Sequence, residues 1–275
     1  MLGLLIAFQD YSPKIGQNFY ITILKGEWVG LKHFIFFFTN VNALRALRNT
    51  VLISLYKLFI GFPAPIILAL LLNELKNMHL KKIVQTISYL PHFMSWVILA
   101  GIMRVLFSPD YGVVIPLFNR LHFGTVNLLG DSRFFRGMLV LSDIWQNVGW
   151  DSVIYLAALS SLDMVLYEAA RIDGANRLQQ FWSITLPGIS STIIIMFILR
   201  IGLIMNAGFD QVFNLANVAV NDVGDIIDTF VYRAGLQQAQ FSYSTAIGFF
   251  KSLVGFILVL ITNRTVKAMG YDSVL

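Results

Sequence analysis

The sequence predicts an all-α protein, a polytopic bundle of helices that cross a membrane. Three observations lead there. The 275 residues are 57% apolar and only 13% charged, about half the charge expected of a soluble domain. Four stretches are long and apolar enough to cross a bilayer and a fifth comes close, each at roughly 17 to 25 residues. No internal repeat, low-complexity tract or shift in composition divides the chain, so residues 1–275 are expected to form a single transmembrane domain.

The elements follow in order. Met1–Phe8, MLGLLIAF, is apolar but far short of the roughly 20 residues a crossing helix needs. It is expected to be the outer end of a first span whose beginning is missing, or an interfacial anchor. No basic region or small-residue cleavage site precedes it, so no cleavable secretory signal is expected. About five full spans come next, over Asn49–Leu72, Ile83–Phe107, Met138–Leu159, Gly188–Asn206 and Ala246–Thr262. Pro63 and Pro65 should kink or locally unwind the first, which is tolerable where neighbouring helices satisfy the freed carbonyls. Of the connections, Asn73–Lys82 is short and basic, and Ser108–Gly137 is mixed. Ser160–Pro187 is polar, and Ala207–Thr245 is acidic, with Asp210, Asp222, Asp225 and Asp228 against Arg233.

Several chemistries are excluded or disfavoured. With no cysteine, there are no disulfides, thiolate metal sites or cysteine nucleophiles. His33, His79, His92 and His122 are scattered with no HExxH pair, so a metal site is not expected. The net charge of +5 suits Lys and Arg flanking membrane spans. No basic patch interleaves with base-stacking aromatics, so nucleic acid is not an expected partner. No GxxxxGK[ST] loop is present to cradle nucleotide phosphates.

Within Met138–Leu159 the residues Asp143, Gln146, Asn147, Trp150 and Asp151 fall at i, i+3, i+4, i+7 and i+8, one face of a helix. A polar face in hydrocarbon is costly unless it points into the bundle or a wet cavity. It either lines a path or joins helices by hydrogen bonds. Lys57 and Lys251, near span centres, are candidate buried partners for Asp143 or Asp151. Arg104 and Arg200, nearer span ends, are expected to snorkel. An intramembrane enzyme using Asp143 and Asp151 is disfavoured, because the i, i+8 spacing sets them about 12 Å apart. His92, after Pro91, is expected to cap a helix or sit in the bundle.

The most specific signal is Tyr167–Pro187, YEAARIDGANRLQQFWSITLP. Ser161 or Asp163 can cap a helix over Leu166–Ile172, and Gly174 suits the left-handed position at its end. Asp173 can cap a second helix over Asn176–Ser183, and Pro187 should separate it from the next span. The small residues Ala169, Ala170, Gly174 and Ala175 let another surface approach the bend, while Glu168, Arg171 and Asp173 supply a charged rim. The pattern EAA, three residues, Gly, nine residues, Ile, one residue, Leu-Pro resembles the signature of the membrane subunit of binding-protein-dependent ABC importers. That resemblance implies a type I importer permease fold, with residues of about 160–187 as the cytoplasmic loop that docks on a separate ATPase.

The resemblance extends over almost the whole chain to the sugar-type permeases, in particular the polysaccharide and complex-oligosaccharide branch. It is carried by GLLIAFQDYSP at Gly3–Pro13, RNTVLISL at Arg48–Leu55, YLPHFMSWVILAG at Tyr89–Gly101 and IWQNVGWDSVIYLAAL at Ile144–Leu159. GFDQVFNL at Gly208–Leu215 and DTFVYRAGL at Asp228–Leu236 complete it. Members of the branch carry a complete span before the GLLIAF segment. What the resemblance implies is a non-enzymatic subunit of a bacterial cytoplasmic membrane. Its implied partners are a second, non-identical permease, two ATP-binding subunits that hold the ATP and Mg, and an extracellular or periplasmic solute-binding protein. The chain itself would bind no cofactor.

For such a substrate the stripe offers amides and carboxylates to sugar hydroxyls and an indole to a pyranose face. Asp210, Gln211, Phe213 and Asn214, directly after a span, would line an outer gate, meet the solute-binding protein, or lie in a solvated loop. The motif side carries Lys76, Lys81, Lys82, Arg171, Arg177, Arg264 and Lys267. The other side carries Lys14, Lys25, Lys32, Arg45, Arg48, Arg120, Arg133, Arg136 and Arg233. That count alone would put the loop outside, so its cytoplasmic placement rests on the resemblance. A secondary transporter would normally show inverted repeats, and none is visible.

Overall fold

The computed structural model describes residues 2–13, 19–24, 26–120 and 127–270. Lys14, Lys25 and His122 lie outside these. Val41–Glu74 and Phe241–Ala268 are each long and apolar enough to cross a membrane, and three bent helix pairs bring the crossings to as many as five. The pairs are Met78–Phe93 with Trp96–Leu106, Ser132–Ser160 with Met164–Ile172, and Arg177–Gly188 with Ser190–Gly202. They coincide with the five predicted stretches and are numbered here as the first to fifth spans.

The first span absorbs its prolines without breaking. A π turn over Lys57–Gly61, closed by the Phe62 N–H donating to the Lys57 carbonyl at 3.0 Å, precedes Pro63–Glu74. Pro63 and Pro65 therefore sit in the first turn after the widening, where the fixed φ of proline suits the resumed helix.

The second span is not the single helix that Ile83–Phe107 suggested. It bends by 107° through a 3-10 turn, Leu90–Phe93, and an extended Met94 (φ −93, ψ 137). Pro91 lacks an N–H, Leu90 before it stays helical (φ −54, ψ −44), and the backbone groups freed at the extended Met94 still need partners in a membrane. One comes from the Met94 N–H, which donates to the Pro91 carbonyl at 3.1 Å.

In the fourth span the helical run continues through a π turn, Phe181–Thr185, and through Pro187 to Gly188, before a 57° bend. The loop helix thus runs one residue past Pro187, and its separation from Ser190–Gly202 falls at Ile189, close to where the sequence placed it. The widened turn already shifts the hydrogen-bond register just ahead of it.

Two compact units emerge from the contacts. One gathers the stretch ending at Leu55 with Trp96–Leu139 and Ile204–Ile257. Ile53, Met103, Phe135, Leu139, Val212, Leu215 and Ile226 form part of its core. Here the acidic segment after the fourth span is folded, not a loop, with helices Phe209–Leu215, Asn221–Gly224 and Ile227–Tyr232. Asn49 clamps it, donating to the carbonyls of Asp222 at 3.0 Å and Asp225 at 2.9 Å. Arg136 donates to the Val223 carbonyl at 3.2 Å and to Asn49 Oδ1 at 2.8 Å. The Ile227 N–H reaches Thr50 Oγ1 at 2.8 Å.

Several cations of this unit are spent locally. Lys32 pairs with Asp10 at 2.6 Å, Arg233 with Asp225 at 2.5 Å, and Arg133 with Asp131 at 2.6 Å. Arg133's side-chain hydrogen bonds hold the Asp131 carboxyl below its ordinary range.

The other unit gathers Tyr56–Ser95, Val140–Leu203 and the stretch from Leu258, around Ala69, Tyr155, Leu159 and Ile189. Gly149 on the third span lies against the Ser88 carbonyl, and a Cβ there would collide with that backbone. Gly149→Ala should lower stability by about 1–3 kcal/mol through overpacking. Thermal unfolding of the purified protein in detergent checks this, and an unchanged midpoint would mean that the two backbones separate freely. Phe59, Leu71, Leu141 and Phe256 on the spans are more than half exposed, an apolar surface suited to lipid or a partner helix.

Candidate functional site

The polar loop forms the helix-turn-helix its sequence predicts. Asp163 caps the first helix, Met164–Ile172, its carboxylate accepting the Val165 N–H at 2.9 Å. Gly174 turns the chain at φ +78, with open space around the position of a Cβ. The second helix begins at Arg177, and its cap is Asn176, not Asp173. The reason is reciprocity: Asn176 Oδ1 accepts the Gln179 N–H at 2.9 Å while Gln179 Oε1 accepts the Asn176 N–H at 2.7 Å, a complete capping box. Tyr167 bonds Thr185 at 2.9 Å and Gln180 donates to the Ala175 carbonyl at 2.9 Å, tying the two helices together.

What the loop presents outward is apolar. Met164, Val165, Leu166 and Leu178 are more than half exposed, and Ile172 is 86% exposed. Glu168, Arg171 and Asp173 are exposed beside them, with Ala169 exposed and Ala170 and Ala175 half-buried. Such a knob with a charged rim has the composition of a docking surface.

The stripe on the third span packs around the break in the second. Asp143 receives Lys57 at 3.0 Å on one oxygen and Arg200 at 3.4 Å on the other. The Lys57 side chain is only 7% exposed. Arg200 therefore does not merely snorkel. It is aimed back at a carboxylate, because leaving a charge unpaired at this depth is costly. Gln146 is buried and donates to the Met94 carbonyl at 3.2 Å, satisfying a group the bend released. Asn147 engages His92 at 3.1 Å and donates to the Asp143 carbonyl at 3.1 Å.

The His92 ring lies flat against Trp150, centroids 4.8 Å apart and planes 4° apart, and Phe93 meets Trp150 edge-on at 5.6 Å. Trp150 is still 47% exposed, so much of the indole stays open. Asp151 is half-buried, within electrostatic reach of Arg200, Asp143 and His92. Sequence reasoning placed the stripe on one face but missed the part of the second span, His92 to Met94, that braces it. The Pro91 signal was there.

One expected pairing falls elsewhere: Lys251 pairs with Asp228, not with Asp143 or Asp151. Arg104, expected to snorkel, donates to the Asn214 carbonyl. Gln211 is buried and donates to the Leu139 carbonyl at 2.6 Å, a bond inside the core of its unit. Asn214 turns back to the Asp210 carbonyl at 2.8 Å, while Asp210 is exposed.

An exposed helix-turn-helix and a charged, aromatic-bearing face beside a broken helix fit a transport subunit. Residues 61–270 match the family described as binding-protein-dependent transport system inner membrane component, and the chain belongs to that family. It is 47% identical to the polygalacturonan/rhamnogalacturonan transport system permease protein YteP of Bacillus subtilis, over 100% of this chain and 84% of that protein. It is 46% identical to Protein LplB of the same organism, over 99% and 84%. Among solved structures, a bacterial alginate ABC transporter in complex with an alginate pentasaccharide-bound periplasmic protein matches at a TM-score of 0.89. That match has 37% identity and covers 100% of this chain and 89% of the matched one.

Proposed function

We propose that the chain forms one half of the translocation path of an ABC importer for oligosaccharides derived from polysaccharides, in a bacterial cytoplasmic membrane. A second permease supplies the other half. Of two ATP-binding subunits, one docks on the loop around Glu168–Ala175, and a solute-binding protein delivers the sugar. The chain itself performs no catalysis and holds no cofactor. The observation that carries the sugar reading is Trp150, an indole backed on one face by His92 and open elsewhere, beside carboxylates and cations that meet hydroxyls. Asn147 acts through His92, holding the ring against the indole. Family membership and the docking loop together disfavour a secondary transporter or an intramembrane enzyme.

The test is uptake of a labelled oligogalacturonate into proteoliposomes that hold the assembled importer and internal ATP, with solute-binding protein outside. Wild-type importer should accumulate the sugar only with ATP. Trp150→Ala should lower uptake about tenfold, the upper end of an aromatic contact. Unchanged uptake in that variant would move the path away from this face. Failure of the wild-type importer to take up uronate or neutral oligosaccharides would defeat the sugar reading.

A further inference from the structure

A pocket lies wholly inside the folded segment that follows the fourth span. It is a cleft of about 320 Å3 whose lining includes Phe213, Tyr232, Asn221, Asp225, Arg233 and Gln237. One wall is aromatic: Phe213 stacks on Phe209 at 5.3 Å, and Tyr232 meets Phe213 edge-on at 5.2 Å. The opposing groups are polar and held in place. Thr229 donates to one oxygen of Asp225 at 2.6 Å, and Arg233 donates to the other at 2.5 Å. Among the described residues the Arg233 guanidinium makes no hydrogen bond besides the one to Asp225, and the side chain is 38% exposed. The exposed amides of Asn221 and Gln237 make no side-chain hydrogen bond among the described residues.

We propose that this cleft is a saccharide-binding site separate from the Trp150 face, one that holds a single pyranose unit of the incoming chain. Its chemistry is complementary to a sugar: a ring face for C–H groups, amides and a guanidinium to donate to hydroxyls, and a carboxylate to accept. The Arg233–Asp225 pair is neutral overall and fixed by Thr229, which suits a hydroxyl-bearing ring better than a bare anion. The segment follows the fourth span in the chain, at the end that the importer reading assigns to the outer face, where a delivered sugar would arrive. The proposal rests on the reading of the chain as an oligosaccharide permease.

The test uses the assembled importer in lipid nanodiscs, carrying Trp150→Ala to silence the membrane face. Binding of two fluorescent trisaccharides, one of uronate and one neutral, is measured by equilibrium titration, and docking of the solute-binding protein is measured in parallel. Tyr232→Ala should weaken binding of both trisaccharides about fivefold, the loss expected for one good contact, with docking unchanged. Gln237→Ala, an exposed change that cannot upset the core, should weaken it in the same direction even if Tyr232→Ala fails to assemble. Unchanged binding in Gln237→Ala and in any assembled Tyr232→Ala would overturn the proposal. Lost docking with sugar binding intact would also overturn it and reassign the cleft to the delivery protein. An unmodified importer that takes up no oligosaccharide would instead remove the reading beneath it.

Discussion

Asp143→Leu should be the most damaging single substitution in this chain. It leaves Lys57, whose side chain is 7% exposed, and Arg200, 38% exposed, facing each other without the carboxylate between them. Removing one member of a buried pair costs about 3–5 kcal/mol, most of it here from Lys57, since Arg200 is more open to solvent and contributes less. Thermal unfolding of the purified permease, alone or in its complex, reads the loss. The double variant Lys57→Met/Asp143→Leu should recover a large part of it, because the apolar pair no longer buries a lone cation. Equal losses in the single and double variants would show that the carboxylate's partner is water, not Lys57.

The second large effect is on coupling. Gly174 sits at φ +78 at the tip of the docking loop, with nothing packed against it. A β-branched residue there pays about 1–2 kcal/mol for the left-handed backbone and also pushes a side chain into the surface where an ATPase is proposed to dock. Gly174→Val should insert normally in the membrane but lose more than about tenfold of its uptake, with ATP hydrolysis no longer stimulated by loaded solute-binding protein. Gly174→Asn, which tolerates this backbone, should lose much less. If the two variants lose uptake equally, steric intrusion and not backbone strain is responsible; if neither does, the tip is not the docking point.

Most of the architecture was legible in the chain because bilayer thickness imposes a length that few other constraints mimic. The loop was nearly as clear, since Asp163 and Gly174 announce a start and a stop. Other features depend on information a linear reading lacks. Asp173 and Asn176 are both good caps, and only the reply from Gln179 selects Asn176. Lys57 and Lys251 looked alike, yet one meets Asp143 and the other Asp228. The rotation of each helix about its axis decides that, and the acidic segment had to fold before Asp228 could be offered. Pro91 was visible, but the size of the bend it permits was not, because Gln146, 55 positions away in sequence, receives the carbonyl that the bend exposes.

The π turns carry a consequence for how such a chain can change over generations. A π turn holds one residue more than the α-helix around it. Deleting a residue from Lys57–Gly61 or from Phe181–Thr185 would restore regular winding and swing everything downstream by about 100°. In the first case Pro63–Glu74 would present a different face to its neighbours, and in the second Ser190–Gly202 would carry Arg200 away from Asp143. Point changes in these turns alter one side chain at a time, whereas single-codon losses would re-aim whole helices. Length, more than identity, is therefore what these two turns must keep.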